Sequence, residues 1–382
     1  MTVMVCVPLG AQTVHRDSVI AQARYLKSIY RTDEAIEALE ALVKPGLPDE
    51  EVLAELADCH FQSGDYESAA GTYFMLASLK PDNILYRIRQ MQLYARLKAW
   101  PQSIQAGREV LRMDSIPAVL SSVGDSFRQL EEADSALWYY RRSLALKPIN
   151  ASVVSKAFDV LLRREAYDEA IALTDSYLQA DPDNTVVAPL QGLALYRKGD
   201  YQAAAGVFQR QLDLGNDTYS IHYYLGQSYW HTDRPYRAHP ELQAAWQIDS
   251  SDVNLAFTLA AVDIELMLPF QDYSKVWLDK AWEMSQPDYA LWSRIQQQYG
   301  LGYYRLENDY AKAIPYYKEA YRYNPKFISA LSTIGYCYEC LNDYKQALEW
   351  YEKYLKQAEP GSKGYEQVAS RINHLKAEAF MQ

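Results

Sequence analysis

Nine small residues recur along this chain at almost constant spacing: Ala35, Ala69, Ser103, Ala136, Ala170, Ala204, Ala238, Ala313 and Ala347. The intervals are 34, 34, 33, 34, 34, 34, 75 and 34 residues. Self-similarity at such a period implies an array of one small supersecondary unit. A single copy cannot bury its own apolar face, so copies must stack into a continuous core. The long interval leaves room for one more unit, at residues 251–287, with about seven extra residues. Ten units then span residues 16–360 of the 382.

Other positions repeat in phase with these anchors. Nine residues before them stand Leu26, His60, Tyr94, Phe127, Leu161, Leu195, Tyr229, Tyr304 and Tyr338. Four residues after them stand Leu39, Tyr73, Gly107, Tyr140, Thr174, Phe208, Leu242, Tyr317 and Tyr351. Five before come Gly64, Gly199, Asp233, Asn308 and Asn342, types that tolerate left-handed backbone and suit a helix end. Twelve after, Pro recurs at 81, 148, 182 and 325. Each unit therefore reads as helix, tight turn, helix and a proline-marked turn. The anchor lies where two helices cross, and the large residues fill the space around it. Filling so many equivalent slots accounts for the 33 tyrosines.

Segments such as Ser220-Ile-His-Tyr-Tyr-Leu-Gly-Gln-Ser-Tyr229, and Ile334-Gly-Tyr-Cys-Tyr338 running on to Pro360, carry the pattern most fully. It resembles the tetratricopeptide repeat family, over about nine-tenths of the chain. The resemblance implies an all-α fold, a right-handed superhelical solenoid of about ten helix-turn-helix units. It would occupy residues 12–360, followed by a capping helix and tail at 361–382 whose apolar face is Val368, Ile372, Leu375 and Ala379. Two places depart from the pattern: Ser103 with Gly107, and the unit at 251–287, which is expected to loosen or bend the stack between residues 268 and 273.

The formal charge of −11 argues against a general nucleic-acid binder, which needs a basic face. The charge is uneven. Residues 17–67 hold 4 Lys/Arg against 12 Asp/Glu, whereas residues 87–164 hold 13 against 7. A basic middle in an acidic chain suits an acidic partner; ordinary solvated helix faces are the alternative. At the N-terminus an apolar run from Val3 leads to Pro8, Gly10 and Ala11 before polar chain begins. Although no basic region precedes it, this predicts residues 1–11 as a signal-peptide remnant cut after Ala11, and export to a bacterial periplasm. A cytosolic location is the alternative. The most apolar stretch, Val253–Phe270, is interrupted by Asn254, Asp263 and Glu265, so it reads as a buried helix, not a membrane span.

No phosphate loop, nucleophile elbow or HExxH motif occurs, and no stretch of 100 residues lies outside the repeats. The chain is therefore expected to be no enzyme and to hold neither cofactor nor metal. Cys337 and Cys340 lie mid-helix, where a thiolate gains nothing from a helix N-terminus, and read with Cys59 as structural thiols. His222, His231 and His239 lack the spacing of helical metal ligands and read as polar helix surface.

In the tetratricopeptide family the first helices of successive repeats line a concave, peptide-binding surface. The lining slots here hold Lys27, Arg96, Arg128, Arg163, Arg197 and Arg305 seven or eight residues before an anchor, and Asp58, Asp125, Asp159 and Gln227 eleven before. The partner-binding groove is accordingly assigned to Arg128, Arg163 and Arg197 with Tyr196, Tyr223, Gln227 and Trp230. Guanidinium groups beside aromatics suit a carboxylate-bearing or extended peptide. In the competing reading each arginine merely pairs with Asp159 or Asp125 and props the groove open. The function expected is a non-enzymatic protein-interaction scaffold in a bacterial envelope or secretion assembly. The runner-up is a cytosolic regulator or sensor that binds a peptide or small ligand.

Overall fold

The computed structural model describes residues 9–44, 47–285 and 288–381, with side chains from His15 to Lys376. Most of the expected leader, and Cys6 in it, lies outside the described residues; Gly10 and Ala11 fall in the first turn of the first helix. The fold is an all-α repeat solenoid. Among the described residues the only extended pairing is an isolated bridge between Lys44 and Leu47.

The helices gather into two compact units, Met1–Leu190 and Gln191–Gln382. The first holds α1 (Leu9–Ser28), α2 (Thr32–Glu40), α3 (Glu50–Ser63), α4 (Tyr66–Leu79), α5 (Ile84–Arg96), α6 (Trp100–Met113), α7 (Pro117–Gln129), α8 (Ala133–Leu146), α9 (Ala151–Arg163) and α10 (Tyr167–Leu178). The boundary falls within α11 (Val187–Lys198). The second unit continues with α12 (Tyr201–Asp213), α13 (Tyr219–His231), α14 (Pro235–Ile248), α15 (Val253–Glu265), α16 (Ser274–Met284), α17 (Tyr289–Arg305), α18 (Tyr310–Tyr323), α19 (Ser329–Cys340), α20 (Tyr344–Leu355) and α21 (Lys363–Met381). Odd-numbered helices up to α19 are the first, and even-numbered ones the second, of each hairpin.

The hairpin turn is built the same way throughout. The residue five before each anchor has positive φ: Gly64 and Gly199 at 88° and 92°, Asp233, Asn308 and Asn342 at 55–60°, and also Tyr30, Lys98, Glu131 and Glu165. One left-handed residue lets the next N–H close back on the first helix, as in Glu132 to Phe127 O (3.0 Å), Ala166 to Leu161 O (3.0 Å) and Asp343 to Tyr338 O (2.9 Å). Where Asp-Tyr opens the second helix, the aspartate caps it. Asp65, Asp200, Asp309 and Asp343 each accept the backbone N–H three residues on, at 3.0–3.2 Å.

All nine anchors are fully buried. Around them, volume is exchanged between the two helices of a hairpin. Gly124, Gly192, Gly226, Gly300 and Gly335 on first helices face Tyr140, Phe208, Leu242, Tyr317 and Tyr351 on second helices, and a Cβ at each would lie only 2.6–3.0 Å from that side chain. The hairpin of Ser103 reverses the exchange. Met91 is the large residue of the first helix, and a Cβ on Gly107 would press on its Sδ at 3.0 Å and clash with Val123. The same reversal of sizes occurs at Phe158 and Thr174, which stand in the slots of Gly124 and Tyr140 one repeat on and are both buried. These departures are the same packing rule with its sizes swapped.

The extra residues fall at two points, one inside the irregular unit and one in the first helix of the next hairpin. The connection between α15 and α16 runs from 266 to 273, against 232–234 in the preceding hairpin, and α17 has 17 residues where α13 has 13. Ser274, fully buried, takes the anchor's place. The connection is packed, not loose: Phe270 is 2% exposed, and its ring occupies the space a Cβ on Gly302 would need. In the next turn Asp309 N–H reaches Tyr303 O at 2.9 Å, so Tyr303, and not Tyr304, fills the large slot. At the end of the described residues α21 buries Val368, Ile372 and Leu375 in one cluster with Tyr351, Tyr354 and Leu331; Ala379 lies beyond the described side chains.

Candidate functional site

In unit 1, two of the aspartates that stand eleven before an anchor meet the residue four after it. Asp58 accepts the hydroxyl of Tyr73 (2.9 Å), and Asp125 that of Tyr140 (2.7 Å), each fifteen residues on. Burial, reinforced by the adjacent carboxylate, raises both tyrosines well above their ordinary pKa. Asp159 stands in the same slot, but fifteen residues later comes Thr174, whose hydroxyl bonds its own helix at Ala170 O and Ile171 O. Left without a tyrosine, Asp159 Oδ2 takes two arginines, Arg128 Nη1 and Arg163 Nη2, both at 3.2 Å. Two of the three arginines assigned to the groove are thus engaged with the protein's own carboxylate. Arg163 keeps an exposed side chain and Arg128 a partly covered one. Asp125 is in turn held by Lys156 Nζ at 2.6 Å.

In unit 2, Arg197 stands exposed in the last turn of α11, and it makes no ion pair among the described residues. Tyr196 beside it is half-buried and fixed by rings: Tyr201 and Tyr224 meet it edge-on at 5.3 and 5.2 Å, and its hydroxyl lies 3.4 Å from His231 Nε2. Burial, with the neighbouring tyrosines, pushes its pKa up to about 12. Burial likewise lowers His231, which stacks on Tyr201 at 4.2 Å. Tyr223 stacks on Tyr219 at 5.6 Å, and Tyr219 donates to Asp252 at 2.6 Å. Trp230 donates from Nε1 to Glu265 at 2.8 Å and borders a 650 Å³ cleft with His231, Glu265 and Arg305. Gln227 does not belong to this surface. It is 5% exposed and donates to Thr258 Oγ1 on α15 at 3.2 Å, because its slot faces the adjacent first helix.

A cleft of 930 Å³ in unit 1 lies among α1, α3, α4 and α5. Arg96 sits 5.4 Å from the ring centres of both Phe61 and Tyr66, with Nη1 3.3 Å from the Tyr66 hydroxyl. Arg89, two turns earlier on α5, reaches only Gln92 Oε1 at 3.4 Å. Lys27 is bound to Glu55 at 2.6 Å. Sequence reasoning placed Lys27, Asp58 and Arg96 at lining slots but passed over Phe61, which occupies one too. Arg89 and Tyr66 stand outside those slots.

The remaining reactive groups are structural. Burial, and then Cys340, pushes the fully buried Cys337 thiol up to about 12. His222, read from the sequence as surface, is 8% exposed and set between Asp217 and Glu241, both at 2.7 Å. Among the described residues no group of three or more His, Cys, Asp or Glu is placed to hold a metal ion, and no helix is long and apolar enough to cross a membrane.

One model of the tetratricopeptide repeat matches residues 20–84, 123–185 and 190–253, and another matches 304–364. The chain belongs to the tetratricopeptide repeat family. The long gaps between matches, 85–122 and 254–303, hold the size-reversed hairpin of Ser103 and the lengthened unit. The chain is 26% identical over 261 residues to Intraflagellar transport protein 70A1 of Mus musculus, across 65% of this chain and 34% of that protein. It is 23% identical over 228 residues to Superkiller complex protein 3 of Homo sapiens, across 49% of this chain and 14% of that protein. The chain thus spans about a third of the length of one of these curated relatives and about a seventh of the other. In fold it is similar to the C-terminal part of a TPR repeat-containing protein from Cytophaga hutchinsonii, with a TM-score of 0.50 and 15% identity across 64% of this chain and 98% of that one. Its repeats are of the kind that builds protein-interaction scaffolds.

Proposed function

We propose that the chain is a non-enzymatic scaffold that holds an extended segment of a partner protein against the first helices of its hairpins. The observation that carries this reading is the aromatic surface of unit 2. Tyr196, Tyr223 and Trp230 are half-exposed, yet each is held in one orientation by a ring or a hydrogen bond. Rigid aromatics that lose little entropy on contact are typical of binding hot spots. Arg197, beside Tyr196 and without an ion pair, adds a cation that favours an acidic segment.

The test compares full-length chains as baits in the native cells. Arg197→Glu with Trp230→Ala should lose the co-purifying partner at least tenfold; equal recovery would sink the assignment. Arg128→Glu and Arg163→Glu should act mainly on the Asp159 cluster, and so on stability. We further propose that the scaffold works in a bacterial cell envelope, on the strength of the apolar run ending at Ala11. N-terminal sequencing of the native protein should begin at Gln12, and a first residue of Met1 would place it in the cytosol.

A further inference from the structure

Unit 1 carries a second binding feature, separate from the aromatic surface of unit 2. Residues 17–67 have three times as many acidic as basic residues, and most of the cations near them are neutralised: Arg16 by Asp49 and Glu51, Arg24 by Glu51 and Glu55, Lys27 by Glu55. The 930 Å³ cleft breaks this pattern. Its single lining carboxylate, Asp58, already accepts the Tyr73 hydroxyl at 2.9 Å and lies 3.7 Å from Lys27 Nζ. Arg89 and Arg96 are exposed and make no ion pair among the described residues; their polar contacts are one amide oxygen and one tyrosine hydroxyl. Beside Arg96 the Phe61 ring is 42% exposed. An apolar platform and two guanidinium groups with unused donors therefore share one open cleft.

We infer that this cleft docks an extended protein segment bearing two carboxylate side chains three residues apart, with an apolar side chain next to one of them. The spacing follows from α5. Arg89 and Arg96 are seven residues apart on one helix face, about 10 Å along the axis at 1.5 Å per residue. A polyproline-II segment advances about 9 Å in three residues and returns its side chains to the same side. Each carboxylate then meets one guanidinium, the geometry in which arginine binds most strongly. The neighbouring apolar side chain covers Phe61, whose ring Arg96 already orients. This inference rests on the scaffold reading but engages residues that reading does not use.

The experiment presents the full-length chain with two pools of capped heptapeptides. One has Glu fixed at its second and fifth positions, the other has Gln there, and the remaining positions are random. The chain should retain the Glu pool more than tenfold over the Gln pool, with apolar residues enriched beside a fixed Glu. Arg89→Gln and Arg96→Gln should each lower that preference at least fivefold while helical circular dichroism stays unchanged. Phe61→Ala should abolish the apolar enrichment and keep the acidic preference. Trp230→Ala should alter neither. Equal retention of the pools, an unchanged preference in both arginine variants, or full displacement by millimolar inorganic phosphate would overturn the proposal. If that happens while Arg197→Glu with Trp230→Ala still loses the native partner, the unit 1 site fails alone and the scaffold reading stands.

Discussion

Asp263 offers the sharpest test of how unit 2 is held together. It stands 34 residues after Tyr229, in the large-residue slot of the lengthened hairpin, where the other hairpins place tyrosine, phenylalanine, leucine or, once, histidine. Its side chain is fully buried in α15. Facing it is the imidazole of His239 of α14, whose Nε2 lies 2.9 Å from Oδ1 without meeting hydrogen-bond geometry; among the described residues neither carboxylate oxygen has a hydrogen-bond donor. A buried charge pair contributes little net stability, yet removing one partner leaves the other uncompensated, at a cost of about 3–5 kcal/mol. His239→Ala should therefore destabilise unit 2 by about that amount. Asp263→Leu, which restores the residue type of the slot, should be neutral or stabilising by about 1–4 kcal/mol. Asp263→Leu combined with His239→Ala should recover most of the loss. Repeat arrays need not unfold in one step, so the measurement should be local. Hydrogen exchange of the α15 amides fits, with urea unfolding followed by the fluorescence of Trp246 and Trp277, which pack on this core. If His239→Ala and Asp263→Leu fall within 1 kcal/mol of each other, on the order of measurement scatter, the pair is not a buried charge pair and the reasoning is wrong.

Other outcomes follow from the same geometry. Glu131→Gly and Glu165→Gly relieve left-handed backbone at φ 61° and 56° and should each stabilise by about 1 kcal/mol, read as a rise in the urea midpoint. Gly302→Ala should drive a methyl group into the Phe270 ring and cost about 1–3 kcal/mol, seen as a lower Tm; Phe270→Ala in the same chain should relieve the clash without restoring stability. The hydroxyls of Tyr140, Tyr219, Tyr299 and Tyr351 donate to carboxylates and are raised above the ordinary tyrosine value of 10.0. Their protonated forms are favoured by the fold, so this contribution is complete below pH 10 and is lost as the pH rises beyond it. Replacing all four by Phe should lower Tm at pH 8 but flatten its decline between pH 10 and 12.

The hairpin architecture was legible because its determinants are local. A turn that needs one left-handed residue, an aspartate cap and a small residue at the crossing leave their mark at fixed spacing. The lengthened unit was harder to read, since insertions in two places shifted the phase. Counting back from Ala313 pointed to Tyr304, when the longer turn puts Tyr303 in the slot, and Ser274 was invisible as an anchor. The site was only partly legible. A slot number tells which helix face a side chain leaves from, not what meets it there. Gln227 turned inward to Thr258, and Arg128 and Arg163 found Asp159, because of neighbours 31 residues away or one helical turn away. Arg89 went unnoticed because its freedom consists in what does not lie near it.

The Asp159 cluster shows that this chain writes part of its surface in its interior. Tyr140 is accommodated because Gly124 leaves room for its ring, and its hydroxyl then occupies Asp125. One repeat later the large residue, Phe158, stands on the first helix, the second helix carries Thr174, whose hydroxyl bonds its own helix, and Asp159 gathers two arginines. The exchange of bulk between two buried positions thus goes with a change in what the carboxylate holds: a tyrosine hydroxyl and a lysine at Asp125, two arginines at Asp159. In a repeat array, such an exchange can retune one stretch of the first-helix surface while every exposed residue stays the same. Recognition can then diversify through the core, one hairpin at a time.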